Sequence, residues 1–283
     1  MMSVRNRGAG DRLATRMEQL GPLCVGIDPH PQLLRDWGLS TDADGVRRFS
    51  EICVEELDGV AAALKPQVAF YEQYGPAGYQ ALAETLEACR AGDHFTIVDA
   101  KRGDIGSTMA GYAAGYLVPG APWEADALTV SPYLGFGALQ PAIDTALENN
   151  KALFVLVLTS NPEGASVQHA RTKSSCVAGE ILHAAQQLNA GVIAAGATVG
   201  PIGTVVGATV GTAPRTLGLD LAGFNGIHLA PGVGAQGAGA HECAEVFGQA
   251  RTLASASRGI LRAGPGKLAA AARQLVDELS RAV

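Results

Sequence analysis

Short apolar runs and longer stretches of helical period alternate along nearly the whole chain. The runs LCVGID (23–28), AALKPQ (62–67), FTIVDAK (95–101), ALTVSP (127–132), ALFVLVLT (152–159), GTVVGAT (203–209), GIHLAP (226–231) and TLASAS (252–257) predict eight strands. Helices are predicted around 44–60, 77–91, 105–117, 138–149, 175–189, 213–222, 239–250 and 265–282. The runs are largely continuous rather than alternating, as in strands covered on both faces. Eight of them interleaved with helices predict an α/β chain folded as a (β/α)8 TIM barrel in a single domain, with a doubly wound open sheet as the alternative. Residues 1–20 read as a polar N-terminal extension and 190–203 as a Gly- and Ala-rich loop. GATVG stands at 196–200 and again at 207–211, and the β-branched run TVVGAT assigns the sixth strand to the second copy.

Composition narrows the class. With 283 residues and 47% of them hydrophobic, the chain can bury one large core. A net charge of -6 and the lack of a basic run interleaved with aromatics argue against nucleic acid or an anionic membrane as partner. The uncharged stretch Ala190 to Pro214 is long enough to span a bilayer, but its Gly, Ala, Thr and Val insert weakly and Pro201 interrupts it. A buried strand with flanking loops is the better account. The cysteines are five, with no CxxC pair, and read as reduced thiols. The opening MMSVRNRGAGDRLATRMEQLG lacks the apolar stretch of a secretory leader, so a cytoplasmic location is expected.

In a (β/α)8 barrel the working residues gather at the strand C-termini. Here those ends carry Asp28, Lys65, the trio Asp99, Lys101 and Asp104, and then Ser160 and Asn161. Residues two apart on a strand share a face, so Asp99 and Lys101 are expected side by side, with Asp104 just beyond. A structural ion-pair network would explain the trio without function. The functional reading is an ammonium held between carboxylates, which favour its charged form. That suits a proton donor better than a Schiff-base nucleophile, which needs a lowered pKa. The Gly-rich PGVGAQG (231–237) and the SRG at 257–259 form a second constellation. Gly-rich turns can turn backbone N–H groups toward an anion, Arg258 adds a charged fork, and the loops after strands seven and eight are a common phosphate site. The six histidines show no metal-ligand spacing, and Ser160 lacks a nucleophile elbow.

VGIDPH (25–30), LKPQVAFYEQYG (64–75), VDAKRGDIGST (98–108), LTSNPEG (158–164), VVGAT (205–209), PGVGAQG and SRGI (257–260) follow one another in order over most of the chain. This set resembles the orotidine 5'-phosphate decarboxylase family, in its longer bacterial branch. The resemblance implies a cofactor-free, metal-free conversion of orotidine 5'-monophosphate to UMP and CO2 in pyrimidine biosynthesis. It implies a proton donor in Lys101 beside Asp99, with Asp104 and Ile105 reaching the site from the other subunit of a homodimer. Asp28 and Lys65 would contact the ribose, and Lys65 would also join the charge network. Ser160 would meet the pyrimidine, Gln236 would bridge base and phosphate, and Gly234, Gly237 and Arg258 would hold the phosphate. Two rivals share the barrel: a metal-dependent hexulose- or pentulose-phosphate lyase, and a phosphosugar-binding barrel without catalysis.

Overall fold

A computed structural model describes residues 8–234 and 237–281. Its strands are β1 (Leu23–Ile27), β2 (Ala63–Pro66), β3 (Ile97–Arg102), β4 (Ala127–Val130), β5 (Ala152–Leu158), β6 (Ile202–Val206), β7 (His228–Pro231) and β8 (Thr252–Ala256). All pairings are parallel, in the order β2-β1-β8-β7-β6-β5-β4-β3. The two ends of that order meet. β2 and β3 touch through two isolated bridges, Leu64 with Thr96 and Gln67 with Asp99, and the Leu64 N–H donates to the Phe95 carbonyl at 2.9 Å. The sheet is therefore a closed barrel and not the doubly wound alternative, and its last seam is a pair of bridges rather than a ladder.

Strand burial explains why the apolar runs were continuous. β1, β2, β4 and β6 are buried at every position, one face against the outer helices and the other in the barrel interior. β6 begins at Ile202 and ends at Val206, so the expected strand at 203–209 overran it, and residues 207–209 form the turn beyond. The expected loop at 190–203 is also corrected. The helix Val177–Ala194 runs through its first five residues, since alanine is the best helix former and Val192 and Ile193 interrupt nothing. The loop proper is 195–201.

The larger correction lies at the N-terminus, where the expected extension contains the helix Ala9–Leu20. Ala9, Leu13 and Ala14 are buried in one cluster with Phe95, Phe154, Leu229 and Leu253 from the strands, so this helix closes the barrel floor. Asp11 accepts from the N–H groups of Thr198 and Val199, which fixes the 195–201 loop beneath it. A Cβ on Gly10 would stand 2.4 Å from the Val199 carbonyl oxygen, so only glycine permits that approach.

Among the described residues no helix is long and apolar enough to cross a membrane. The five cysteines are buried and unpaired.

Candidate active site

The open end of the barrel, where the strands finish, collects the charged residues. Asp99 on β3 is 7% exposed and has four donors. Its Oδ2 accepts from Lys65 Nζ at 2.9 Å and Gln67 Nε2 at 3.0 Å. Its Oδ1 accepts from Lys101 Nζ at 2.6 Å and from the Thr129 hydroxyl at 2.9 Å. A carboxylate offers about four lone-pair sites, so this one is saturated. Burial alone would raise the Asp99 pKa, yet the charges of Lys65 and Lys101 outweigh it and hold the carboxyl well below its ordinary range. Burial would likewise neutralise Lys65, but Asp99 and then Asp28 push its ammonium above the ordinary lysine value. The array is ionised on both sides.

Lys65 and Lys101 hold different stations on it. The Lys65 side chain is 9% exposed and sits under the site, whereas that of Lys101 is 46% exposed and faces the opening. The expected side-by-side placement of Asp99 and Lys101 holds, but simple strand alternation is not its cause. Val98 pairs with Leu128 and Arg102 with Val130, so three residues of β3 (99–101) bulge against the single residue Thr129 of β4. Lys101 takes a left-handed backbone, φ +47°, inside that bulge. Bulges re-aim side chains in this way at the rims of barrels. Just beyond, Gly103 passes so near β4 that a Cβ would lie 2.4 Å from the Ser131 carbonyl oxygen.

Asp28 follows β1, and its Oδ1 is buried with no hydrogen-bond partner. It acts on Lys65 through its charge without an ion pair within 4 Å. Asp104 accepts from the N–H of Ile105 at 2.8 Å, and among the described residues it forms no ion pair with either lysine. Ile105 is 62% exposed, Tyr133 78% and Leu134 55%, an apolar group on the loops that follow β3 and β4. Ser160, past β5, is exposed and lies against Gly207, past β6.

After β7, Gly234 and Gly237 are exposed with left-handed backbones. Their N–H groups donate inside the loop, to Ala238 at 2.7 Å and to Gly234 at 3.0 Å. In this conformation the isolated bridge between Val233 and Ala238 and these two bonds close the loop on itself. Gln236 lies outside the described residues. Arg258 is half-buried at the start of the helix Arg258–Leu261, after β8, and among the described residues its guanidinium has no ion-pair partner.

Two members of the array escaped the sequence reading, Gln67 and Thr129. Gln67 directly follows β2 and Thr129 is the last but one residue of β4, which is the available signal, but neither residue type is charged. Among the described residues no group of three or more His, Cys, Asp or Glu is placed to hold a metal ion. A cavity of about 920 Å³ lies at the opposite end of the strands, between Met17, Leu20, Val60, Phe247 and Val276, and includes none of these residues.

The chain resembles proteins of one kind. A curated relative from Salinispora arenicola, named orotidine 5'-phosphate decarboxylase, is 48% identical over 95% of this chain and 96% of its own length. One of the same name from Streptomyces coelicolor is 48% identical over 97% and 98%. A crystal structure from Streptomyces avermitilis, assigned to the same activity, superposes with a TM-score of 0.92 at 48% identity, covering 98% of this chain and 96% of that one. The UMP synthase of Leishmania donovani superposes at 0.78 and 30% identity, with 98% of this chain matching 57% of that longer one. Residues 21–274, from just before β1 to the middle of the last helix, match the family model described as orotidine 5'-phosphate decarboxylase / HUMPS, and the chain belongs to that family.

Proposed function

We propose that the chain converts orotidine 5'-monophosphate to UMP and CO2, as a step of pyrimidine biosynthesis in the cytoplasm. The observation that carries this reading is the single buried carboxylate of Asp99 shared by two ammonium groups, one of them facing the opening. Breaking the bond from C6 to the carboxylate releases CO2 and leaves an electron pair in an sp2 orbital at C6. No adjacent electron sink exists in the substrate, so that charge must be met by the site. A fixed ammonium does this without reorganisation at the moment of reaction. Lys101 then gives its proton to C6, and the product is the neutral base.

The other residues bind. Asp28 and Lys65 take the ribose hydroxyls, and the unpaired buried Oδ1 of Asp28 is an acceptor awaiting a donor. Ser160 meets the pyrimidine and Gln236 links base to phosphate. Arg258, with Gly234 and Gly237, holds the phosphate between the loops after β7 and β8, the usual place in this architecture. Rebinding of the loop around the phosphate would release the two glycine amides and spend remote binding energy at C6.

The site is completed in a homodimer. Among the described residues Asp104 has no ion-pair partner, and Ile105, Tyr133 and Leu134 expose apolar surface on the loops that follow β3 and β4. Such a patch is suited to a second copy of the chain, which would bring the partner subunit's Asp104 to Lys101 and the partner subunit's Ile105 to the ring.

The test is spectrophotometric. Purified protein with EDTA should abolish the absorbance of orotidine 5'-monophosphate as UMP forms. No decay would overturn the proposal, and activity lost to the chelator would favour the metal-dependent lyase.

A further inference from the structure

We propose that Thr129 is a positioning residue whose hydroxyl holds the β3 bulge in the form that aims the Lys101 ammonium; the inference rests on the decarboxylase reading. Thr129 is the one residue of β4 opposite Asp99, Ala100 and Lys101. A regular parallel ladder would offer the Lys101 N–H a carbonyl oxygen from β4. The bulge removes that acceptor, and the N–H donates instead to Thr129 Oγ1 at 2.9 Å. The direction of the next bond follows from chemistry. A backbone N–H can only donate, so the hydroxyl accepts there and spends its own proton on the Asp99 carboxylate, at 2.9 Å from Oδ1.

The same Oδ1 receives Lys101 Nζ at 2.6 Å. Main chain and side chain of Lys101 are thus tied into one circuit: N–H to Thr129, Thr129 to Asp99, Asp99 to Nζ. Left-handed φ is unfavourable for a residue with a side chain and persists only where its surroundings over-determine it. Thr129 is 1% exposed, so water has no room to replace the hydroxyl. Nothing else among the described residues bonds both the Lys101 backbone and the Asp99 carboxylate. Thr129 lies beneath the array, away from the opening, so its effect on the reaction passes through Lys101.

The experiment compares Thr129→Val, which keeps the shape and removes the hydroxyl, with Thr129→Ser, which keeps the hydroxyl. Their kcat and KM for orotidine 5'-monophosphate, their affinity for UMP and crystal structures are to be measured beside wild type. A misplacement of about 1 Å costs on the order of a hundredfold in rate. Thr129→Val should therefore lose about that much kcat while KM and UMP affinity stay within about threefold, and Thr129→Ser should recover it. A Thr129→Val enzyme with near wild-type kcat, or Thr129→Ser falling as far, would overturn the proposal. Should Thr129→Val fail to fold, Thr129→Ala purified with UMP bound carries the same comparison. Lack of turnover by wild type would sink the decarboxylase reading instead. The crystal structure of the valine variant would still decide the role of Thr129, with an unmoved Lys101 backbone and ammonium counting against it.

Discussion

Arg12 in the N-terminal helix lies 2.5 Å from Asp126, which immediately precedes β4, with each side chain 20% exposed. Arg12 also donates to the Asn150 carbonyl ahead of β5, while Asp126 Oδ2 accepts from the Thr96 N–H ahead of β3. One guanidinium therefore fastens the floor helix to the starts of β4 and β5, and Asp126 carries the link on to the start of β3. Arg12→Ala should cost about 2 kcal/mol, the range for hydrogen bonds to charged groups, and lower Tm by several degrees. Turnover should be unchanged because the site is at the other end of the strands. Thermal unfolding and a kcat measurement check both parts; an unaltered Tm would show that the floor helix is held by its apolar stripe alone.

Lys101 is both the exposed ammonium of the array and its proposed acid. Lys101→Ala should keep the fold and the affinity for UMP while turnover falls by many orders of magnitude; activity within tenfold of wild type would end the assignment. Asp104→Ala should be nearly as inactive, since the partner subunit's Asp104 is proposed to serve the same site. Mixed and allowed to exchange, the two variants should complement. Random exchange makes about half the dimers mixed, each with one intact site, so about a quarter of wild-type activity should return. Native mass spectrometry verifies the exchange. Mixed dimers without activity would place Asp104 in its own subunit's chemistry.

Arg258 has no ion-pair partner among the described residues and is proposed to receive the phosphate. Arg258→Ala should weaken kcat/KM for the phosphorylated substrate by roughly ten- to a hundredfold, the worth of a charged hydrogen bond, and more if the site is dry. Turnover of the bare nucleoside orotidine should change little. Equal losses on the two substrates would remove Arg258 from the phosphate.

His228 is fully buried at the start of β7, with Nδ1 2.6 Å from the Thr204 hydroxyl and Nε2 2.9 Å from the Leu221 carbonyl. Burial pushes its pKa down from 6.5 to about 4. Between those values the unfolded chain binds a proton here that the folded chain does not, so stability falls as pH falls. This group alone should remove about 2 kcal/mol between pH 7 and pH 5. Urea unfolding at the two pH values should show that loss in wild type and a smaller one in His228→Gln. Equal slopes would mean that other groups carry the acid sensitivity.

The strands were legible because a barrel strand buries both faces, and runs such as ALFVLVLT leave no other reading. Lys65, Asp99 and Lys101 were legible because charge at the end of an apolar run is costly without a purpose. The floor helix was not. Its buried stripe is Ala9, Gly10, Leu13 and Ala14, one large apolar side chain with three small residues among Arg12, Arg16 and Glu18, and its spacing is hard to hear against so many polar neighbours. The bulge was illegible for a different reason: the left-handed turn at Lys101 is imposed by its partners across the sheet, and nothing in the local sequence announces it. Gln67 and Thr129 became visible only once β2, β3 and β4 were side by side.

The two bridges between β2 and β3 make that seam the least stitched in the barrel, and the buried ion pair of Lys65 and Asp99 spans it. The barrel has a buckle, and the Asp99 carboxylate is its pin. Removing one partner of a buried ion pair strands the other charge, at a cost of about 3–5 kcal/mol. A descendant of this chain that dropped Asp99 would therefore weaken its closure at the same stroke as it emptied the proposed site. It would need a new fastening across β2 and β3 before it could turn the same barrel to another use.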